Sequence, residues 1–444
     1  MREAQSTLTK RPQGEPVAAI SRAVRETAGG LPRQFWWLWT STLVNRLGGF
    51  VVTFLALYLT VDRGYSAAYA GLVAALFGLG GAAGAVLGGV CADRFGRRTT
   101  MLGSQLGAAL TTAVLGFVDG AVAIAGVAML VGLTGNASRP ALSAMIADLV
   151  PARDRVRAYS LNYWAINIGF GVSAAAAGFI AAEGYLWLFV GDALATVLCA
   201  VVVFAKVPET RPDASAGHVA ESTENAGSTA AATRVTLLDV LRDRRFMALT
   251  GLIFLFAVVM QQANSTLAVD MGRHGLSSQQ FGLIASINGV VIVLLQIPIT
   301  RALRSRGNGV LLATGCLVLS WGIGLTVFAT TVALYAVTVA IWTIGEIIHA
   351  PASMSVVSDL APPHARGRYQ GVSTLAWAAA TFAGPLAGGL TLQYAGRTSV
   401  WLGCAVVGTV ASAGYYLLLR PGTAPAATAV VAGEAGAEPR GAAA

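Results

Sequence analysis

Glu346 and His349 stand three residues apart in Gly345-Glu346-Ile347-Ile348-His349-Ala350-Pro351, near the middle of a long apolar run. At helical spacing their side chains fall on adjacent turns of one face. A carboxylate drawn out of water, beside an imidazole that titrates near neutrality, is suited to carry a proton. Asp192, about 9 Å inside the end of another apolar run at ~1.5 Å per residue, is a second proton candidate. Arg46 lies roughly 16 Å along a helix from Phe35, and Arg139 follows Asn136 by one turn within a further run. Charge at such depth is costly and marks ion or solute pathways. The bland alternative is an ion pair that only locks packing, or arginines snorkelling to a surface. Asn45, Asn162, Trp164, Asn167, Gln261, Asn264, Asn288 and Trp377 join Arg46, Asn136 and Arg139 as candidate lining of a central cavity. Any one of them is more often a helix-packing residue. Together, an apolar and aromatic cavity with amides and few acids suits a neutral or amphipathic organic molecule.

The elements that must hold these residues are membrane helices. Of 444 residues, 55% are hydrophobic and 11% charged, with mean hydropathy +0.65, against about 25% charged in soluble domains. Twelve segments approach the ~20 residues that span a bilayer: about 35–60, 66–91, 99–118, 120–149, 157–182, 186–206, 246–270, 279–303, 308–329, 331–357, 369–394 and 397–420. They group into a first bundle over 35–206 and a second over 246–420. Residues 1–34 read as a polar tail, with a short surface helix expected around Val17–Thr27. Residues 207–245 read as a linker ending in an amphipathic helix at Leu237–Arg245, and 421–444 as a disordered tail. Twenty-five of the 30 Lys and Arg residues fall on one side. Arg63, Arg273 and Arg397 fall on the other, with Arg46 and Arg139 inside. That asymmetry puts both termini and the linker in the cytoplasm of a multi-pass inner (plasma) membrane protein. Net charge +9 reflects this topology rather than nucleic-acid binding. Cys91, Cys199, Cys316 and Cys404 show neither disulfide nor metal-ligand spacing.

The most specific short motif lies between the second and third spans, in Gly88-Gly89-Val90-Cys91-Ala92-Asp93-Arg94-Phe95-Gly96-Arg97-Arg98. Gly89 lets the helix end approach a neighbour closely and Gly96 lets the backbone reverse. Asp93 can meet a helix N-terminus or a basic side chain, while Arg94, Arg97 and Arg98 hold the loop at the surface. Asp148 and Asp359 end the fourth and tenth spans at symmetric positions and read as gate residues alongside Asp93. A degenerate echo, Gln296 to Arg306, follows the eighth span without the aspartate.

Over residues 35–420 the chain resembles the major facilitator superfamily, and most of all its twelve-helix drug:proton antiporters. The resemblance rests on Gly89-x-x-x-Asp93-Arg94-x-Gly96-Arg97-Arg98, on Gly345-Glu346, and on Gly384-Pro385-Leu386-Ala387-Gly388-Gly389. The last is similar to a signature that antiporters place in helix 5, where this chain has Gly169-Phe170-Gly171 without the proline. The resemblance implies an all-α fold of two pseudo-symmetric six-helix bundles working by alternating access. It also implies a monomer in the lipid bilayer that exports drugs, antibiotics or secondary metabolites against protons. No cofactor is expected beyond the proton gradient, no metal, and no nucleic-acid partner. Neither nucleophile elbow, phosphate-cradling loop nor paired Cys/His ligands occur, so an enzyme is not expected. Asn45-Arg46, Asn167-Ile168-Gly169 and Gly345-Glu346 faintly resemble proton-coupled symporters for peptides or other metabolites. A membrane sensor or scaffold that moves no solute is the reading from a different class.

Overall fold

The computed structural model describes residues 29–210 and 237–420, apart from 304, 363 and 364. The expected helix at Val17–Thr27, most of the linker and the tail after Arg420 lie outside the described residues. The first half comprises α1 Arg33–Leu47, α2 Val51–Leu57 with a π turn at Tyr58–Asp62, and α3 Ala67–Phe95. It continues with α4 Arg97–Phe117, α5 Ala121–Leu149, α6 Arg155–Glu183 and α7 Tyr185–Lys206. A short α8, Leu237–Arg242, precedes the second half: α9 Arg244–Asn264, α10 Thr266–Arg273, α11 Ser278–Ala302 and α12 Asn308–Gly324. The last three helices are α13 Val332–Leu360, α14 Arg366–Tyr394 and α15 Gly396–Leu418. Among the described residues, eleven helices are long and apolar enough to cross a membrane. α8 is three residues shorter than the amphipathic segment read from the sequence.

The first and seventh spans differ from the continuous helices expected, because each is broken. The first stops at Gly48 and resumes at Val51. A glycine pair costs a helix about 1 kcal/mol per residue, and Gly48 faces the Ala195 side chain so closely that a Cβ would collide. The backbone donor exposed by the break is taken up by α7, where Asp192 Oδ2 accepts from Val51 N at 3.2 Å. Asp192 Oδ1 accepts from Thr196 Oγ1 at 3.4 Å. The seventh span breaks at Ser265, between α9 and α10. Gln262 steadies this break by donating to the Gly384 carbonyl at 2.8 Å and accepting from Thr266 Oγ1 at 2.6 Å.

Side-chain caps fix several of the other helix starts. Ser66 accepts from Tyr69 N, Asp243 from Arg245 N and Phe246 N, and Ser277 with Gln280 forms a reciprocal capping box. Within the first half, α3 lies against α5 along a row of glycines. A Cβ at Gly80, Gly84 or Gly88 would strike the backbone of Met129, Leu133 or Ala137. In a bilayer such small-residue stripes replace the hydrophobic effect as the means of close helix packing. The glycine that permits the approach at the opening motif is therefore Gly88. Gly89, assigned that role from the sequence, would set its Cβ 3.9 Å from Pro140 and touch nothing closer.

The two halves meet away from the face that carries residues 29–33 and Arg420. Gly171 faces Gly289, and Gly178 faces Ser278 and Gln279, where α6 crosses α11. Gly71 faces Pro385 and Gly389, and Gly78 faces Thr381, where α3 crosses α14. Tyr185 Oη and Ser278 Oγ lie 2.9 Å apart, and Phe54 packs edge-on against Phe281 at 5.0 Å. The contacts that join the halves thus gather at the far face, from which we infer a seal there and a cleft between the halves towards the terminal face.

Candidate functional site

The cleft places a carboxylate on one wall and two guanidinium groups on the other. Glu346, halfway along α13, accepts from Asn288 Nδ2 of α11 at 2.9 Å, and the same amide donates to Thr343 Oγ1 at 3.1 Å. Across the cleft, Tyr163 of α6 lies within electrostatic reach of Glu346. Tyr163 is exposed there, while Asn167, one turn on, is buried and donates to the Tyr163 carbonyl at 2.8 Å. Sequence reasoning picked the flanking Asn162 and Trp164 and passed over Tyr163. Asn162 Oδ1 is buried without a hydrogen-bond partner, and Trp164 is half-buried.

Arg46 lies in the last turn of α1 beside the break, its Cβ against Gly169 of α6, within electrostatic reach of both Arg139 and Asp192. Arg139 is solvent-accessible although helices surround it, as a residue lining an internal cleft must be. Asn45 is half-buried on the same stretch. Asn136 turns elsewhere. It donates to its own Gly132 carbonyl at 2.9 Å and packs on Gly81 of α3, so it secures the α3–α5 contact. On the opposite wall, Gln261 Oε1 accepts from Asn264 Nδ2 at 3.1 Å beside the α9–α10 break, and Asn264 is exposed. Trp377 of α14 stands edge-on to Phe256 at 6.2 Å.

His349 does not share the Glu346 site. It is 2% exposed, stacked on Phe256 at 3.6 Å and 9°, and edge-on to Tyr415 at 5.6 Å. Three residues at ~100° each leave the two side chains about 60° apart around α13, enough for Glu346 to face α11 while His349 enters the interior of the second half. Its expected partnership in proton transfer is corrected accordingly. Asp192 is committed to the α1–α2 break, which the sequence reading did not foresee.

At the terminal face the charges pair differently from expectation. Arg97 Nε meets Asp148 Oδ2 at 3.0 Å, tying the start of α4 to the end of α5. Asp93 is exposed and forms no ion pair among the described residues, so it does not meet the basic side chain expected for it, and Arg97 pairs with Asp148 instead. Arg94 lies over the Phe95 ring at 5.5 Å, and Arg98 donates to the Phe204 carbonyl. Gly96 adopts φ +99°, the left-handed turn its position required. Directly beyond it, Glu209 accepts from the backbone N–H groups of Arg97 at 2.8 Å, Arg98 at 3.1 Å and Thr99 at 3.4 Å. Desolvation opposes its charge. The N–H groups of Arg97, Arg98, Thr99 and Thr210 outweigh that and hold the carboxyl below its ordinary range. This acid at a helix N-terminus lay unnoticed in what read as linker. In the second half Asp359 accepts from Ser355 Oγ at 3.2 Å, and Asn308 at the start of α12 donates to that hydroxyl at 3.0 Å.

Three comparisons bear on the arrangement. Residues 38–385 and 263–442 match the family model described as Major Facilitator Superfamily. The chain is 26% identical over 393 residues to the multidrug resistance protein MdtH of Aeromonas salmonicida, covering 87% of this chain and 94% of that one. It is 23% identical to a Na(+), Li(+), K(+)/H(+) antiporter of Planococcus maritimus, over 82% and 93% of the two chains. Among solved structures, the nucleoside transporter NupG superposes with a TM-score of 0.72 at 14% identity, covering 87% of this chain and all of that one.

Proposed function

The chain belongs to the Major Facilitator Superfamily and is a secondary transporter, and from that premise we propose that it exports small hydrophobic or amphipathic organic compounds in exchange for protons. The terminal face is the cytoplasmic one, on the Lys and Arg count. In that frame the cleft opens inward and the seal lies outside. The observation that carries the reading is Glu346, a carboxylate at mid-membrane depth that pairs with an amide and, among the described residues, with no cation. A neutralised acid there is tolerated in a closed carrier. An ionised one calls for water or a partner, which biases the carrier towards an open state. The walls around it, Trp377, Tyr163 and the amides Gln261 and Asn264, present aromatic and neutral polar surface, suited to drugs, antibiotics or secondary metabolites. Two relatives are named for multidrug resistance and for proton antiport.

The test is uptake into inverted vesicles under an imposed pH gradient, using cationic dyes, neutral antibiotics and short peptides. Accumulation of a dye or antibiotic that collapses when the gradient is dissipated supports export. Absence of all such movement favours the sensor or scaffold.

One observation favours a second reading. The cleft sets Arg46 and Arg139 on one wall against Glu346 on the other, a charge layout that also suits a zwitterion such as a short peptide. Gradient-driven peptide movement in the same direction as protons would establish that symport reading over export.

A further inference from the structure

A charged cluster outside the cleft sits at the outer end of the second half. Asp270 of α10 is 1% exposed. Its Oδ1 accepts from Arg397 Nε of α15 at 2.8 Å, and its Oδ2 accepts from Tyr335 Oη of α13 at 2.7 Å. The remaining guanidinium nitrogens of Arg397 donate to the Val327, Thr326 and Ala329 carbonyls, closing the turn after α12. His274 is the other titratable group facing Asp270, with Nδ1 2.8 Å from the Asp270 carbonyl oxygen and 3.9 Å from Oδ1. A buried carboxylate with two directed partners is strongly held, and removing either leaves an uncompensated group.

What this cluster holds is the outer segment of a broken helix. α10 follows the break at Ser265 and packs against α2, the outer segment of the other broken helix. A Cβ at Gly272 would lie 3.0 Å from Leu57 and 2.9 Å from Val61. Leu57, Leu267 and Met271 are all fully or nearly buried in that contact. Where α2, α3, α10 and α14 converge, Ala56, Gly71, Val269 and Gly389 leave a void of only about 10 Å³. The first half repeats the device with other residues, since Asp192 of α7 holds the start of α2. In each half, the last helix supplies a charged group that ties down the outer segment of the broken first helix.

We propose that Asp270, held by Arg397 and Tyr335, is the positioning residue that fixes α10 against α2 and thereby sets how readily the outer side opens. The proposal rests on the alternating-access carrier reading and not on which compound is carried. With the anchor intact, α10 moves only with the whole second half. With it cut, α10 parts from α2 on its own account, and the population shifts towards the outward-open state.

Thiol accessibility in a background with Cys91, Cys199, Cys316 and Cys404 changed to Ser reads this directly. Val269→Cys reports the outer seal. Ser143→Cys, one turn beyond Arg139 on α5 and exposed, reports the inner cleft. In intact cells, a membrane-impermeant maleimide is expected to label position 269 roughly tenfold faster in Asp270→Asn and in Arg397→Gln. In inverted vesicles, position 143 is expected to label more slowly in the same variants. A merely loosened fold speeds both reporters, and that result overturns the proposal, as does an unchanged rate at 269. If Asp270→Asn fails to reach the membrane, Tyr335→Phe decides alone. It deletes one hydrogen bond to Asp270, so faster labelling at 269 supports the anchor and an unchanged rate refutes it. The maleimide needs no substrate, so a carrier that moves none of the proposed compounds loses the export reading and leaves this result intact.

Discussion

Glu209 shows how a single side chain can decide where a segment runs. Its carboxylate takes the free N–H groups at the head of α4, beside the ion pair between Arg97 and Asp148. The native carboxyl is held below its ordinary range, so its contribution is complete above the ordinary glutamate value near 4.5. The contribution fades as pH falls through the lowered native value. Glu209→Gln is therefore expected to lower the thermal midpoint of the purified protein at pH 7, with the difference from wild type shrinking in acid. His349 provides the contrasting case. Because it stacks on Phe256 rather than facing Glu346, His349→Phe is expected to keep the pH profile of transport, measured across pH 6 to about 8 where an unperturbed imidazole titrates. A profile that shifts with this substitution would return His349 to the proton path.

At the scale of elements, the glycine row on α3 and the two helix breaks carry the argument. Gly88 leaves no room for a Cβ against Ala137, while Gly89 has room. Gly88→Leu is expected to destabilise the protein by about 1–3 kcal/mol through overpacking, whereas Gly89→Ala is expected to leave the thermal midpoint nearly unchanged. The spans themselves were legible because a bilayer demands length and excludes charge, and Asp93 to Arg98 could only lie where helices leave it. The breaks were harder to see. Gly48-Gly49 carries a local signal, but Ser265 interrupts an apolar run that has no proline and whose glycine, Gly251, lies far from the break. Asp270 was counted as the last residue of a span and Arg397 as the first of another, 127 positions away, so nothing local joined them. Likewise Glu346 and His349 share a spacing that permits one face, and only the neighbours α11 and α9 assign them to different surroundings. Spacing fixes angles around a helix; it does not say what occupies them.

For the whole molecule, the two halves meet at the outer side through α3–α14 and α6–α11, with α2 and α10 between them, and the cleft opens at the terminal face. Under the proposed export reading, a carrier in this state must part those contacts to release its cargo, and Glu346 exchanging its proton for substrate would supply the bias. The most direct check is substrate-induced proton release, followed with a pH indicator in weakly buffered detergent solution after adding a transported dye or antibiotic. Wild type is expected to release protons in a saturable manner, and Glu346→Gln is expected to bind the compound without releasing any. Release of the same size from the Glu346→Gln protein would contradict proton exchange at Glu346.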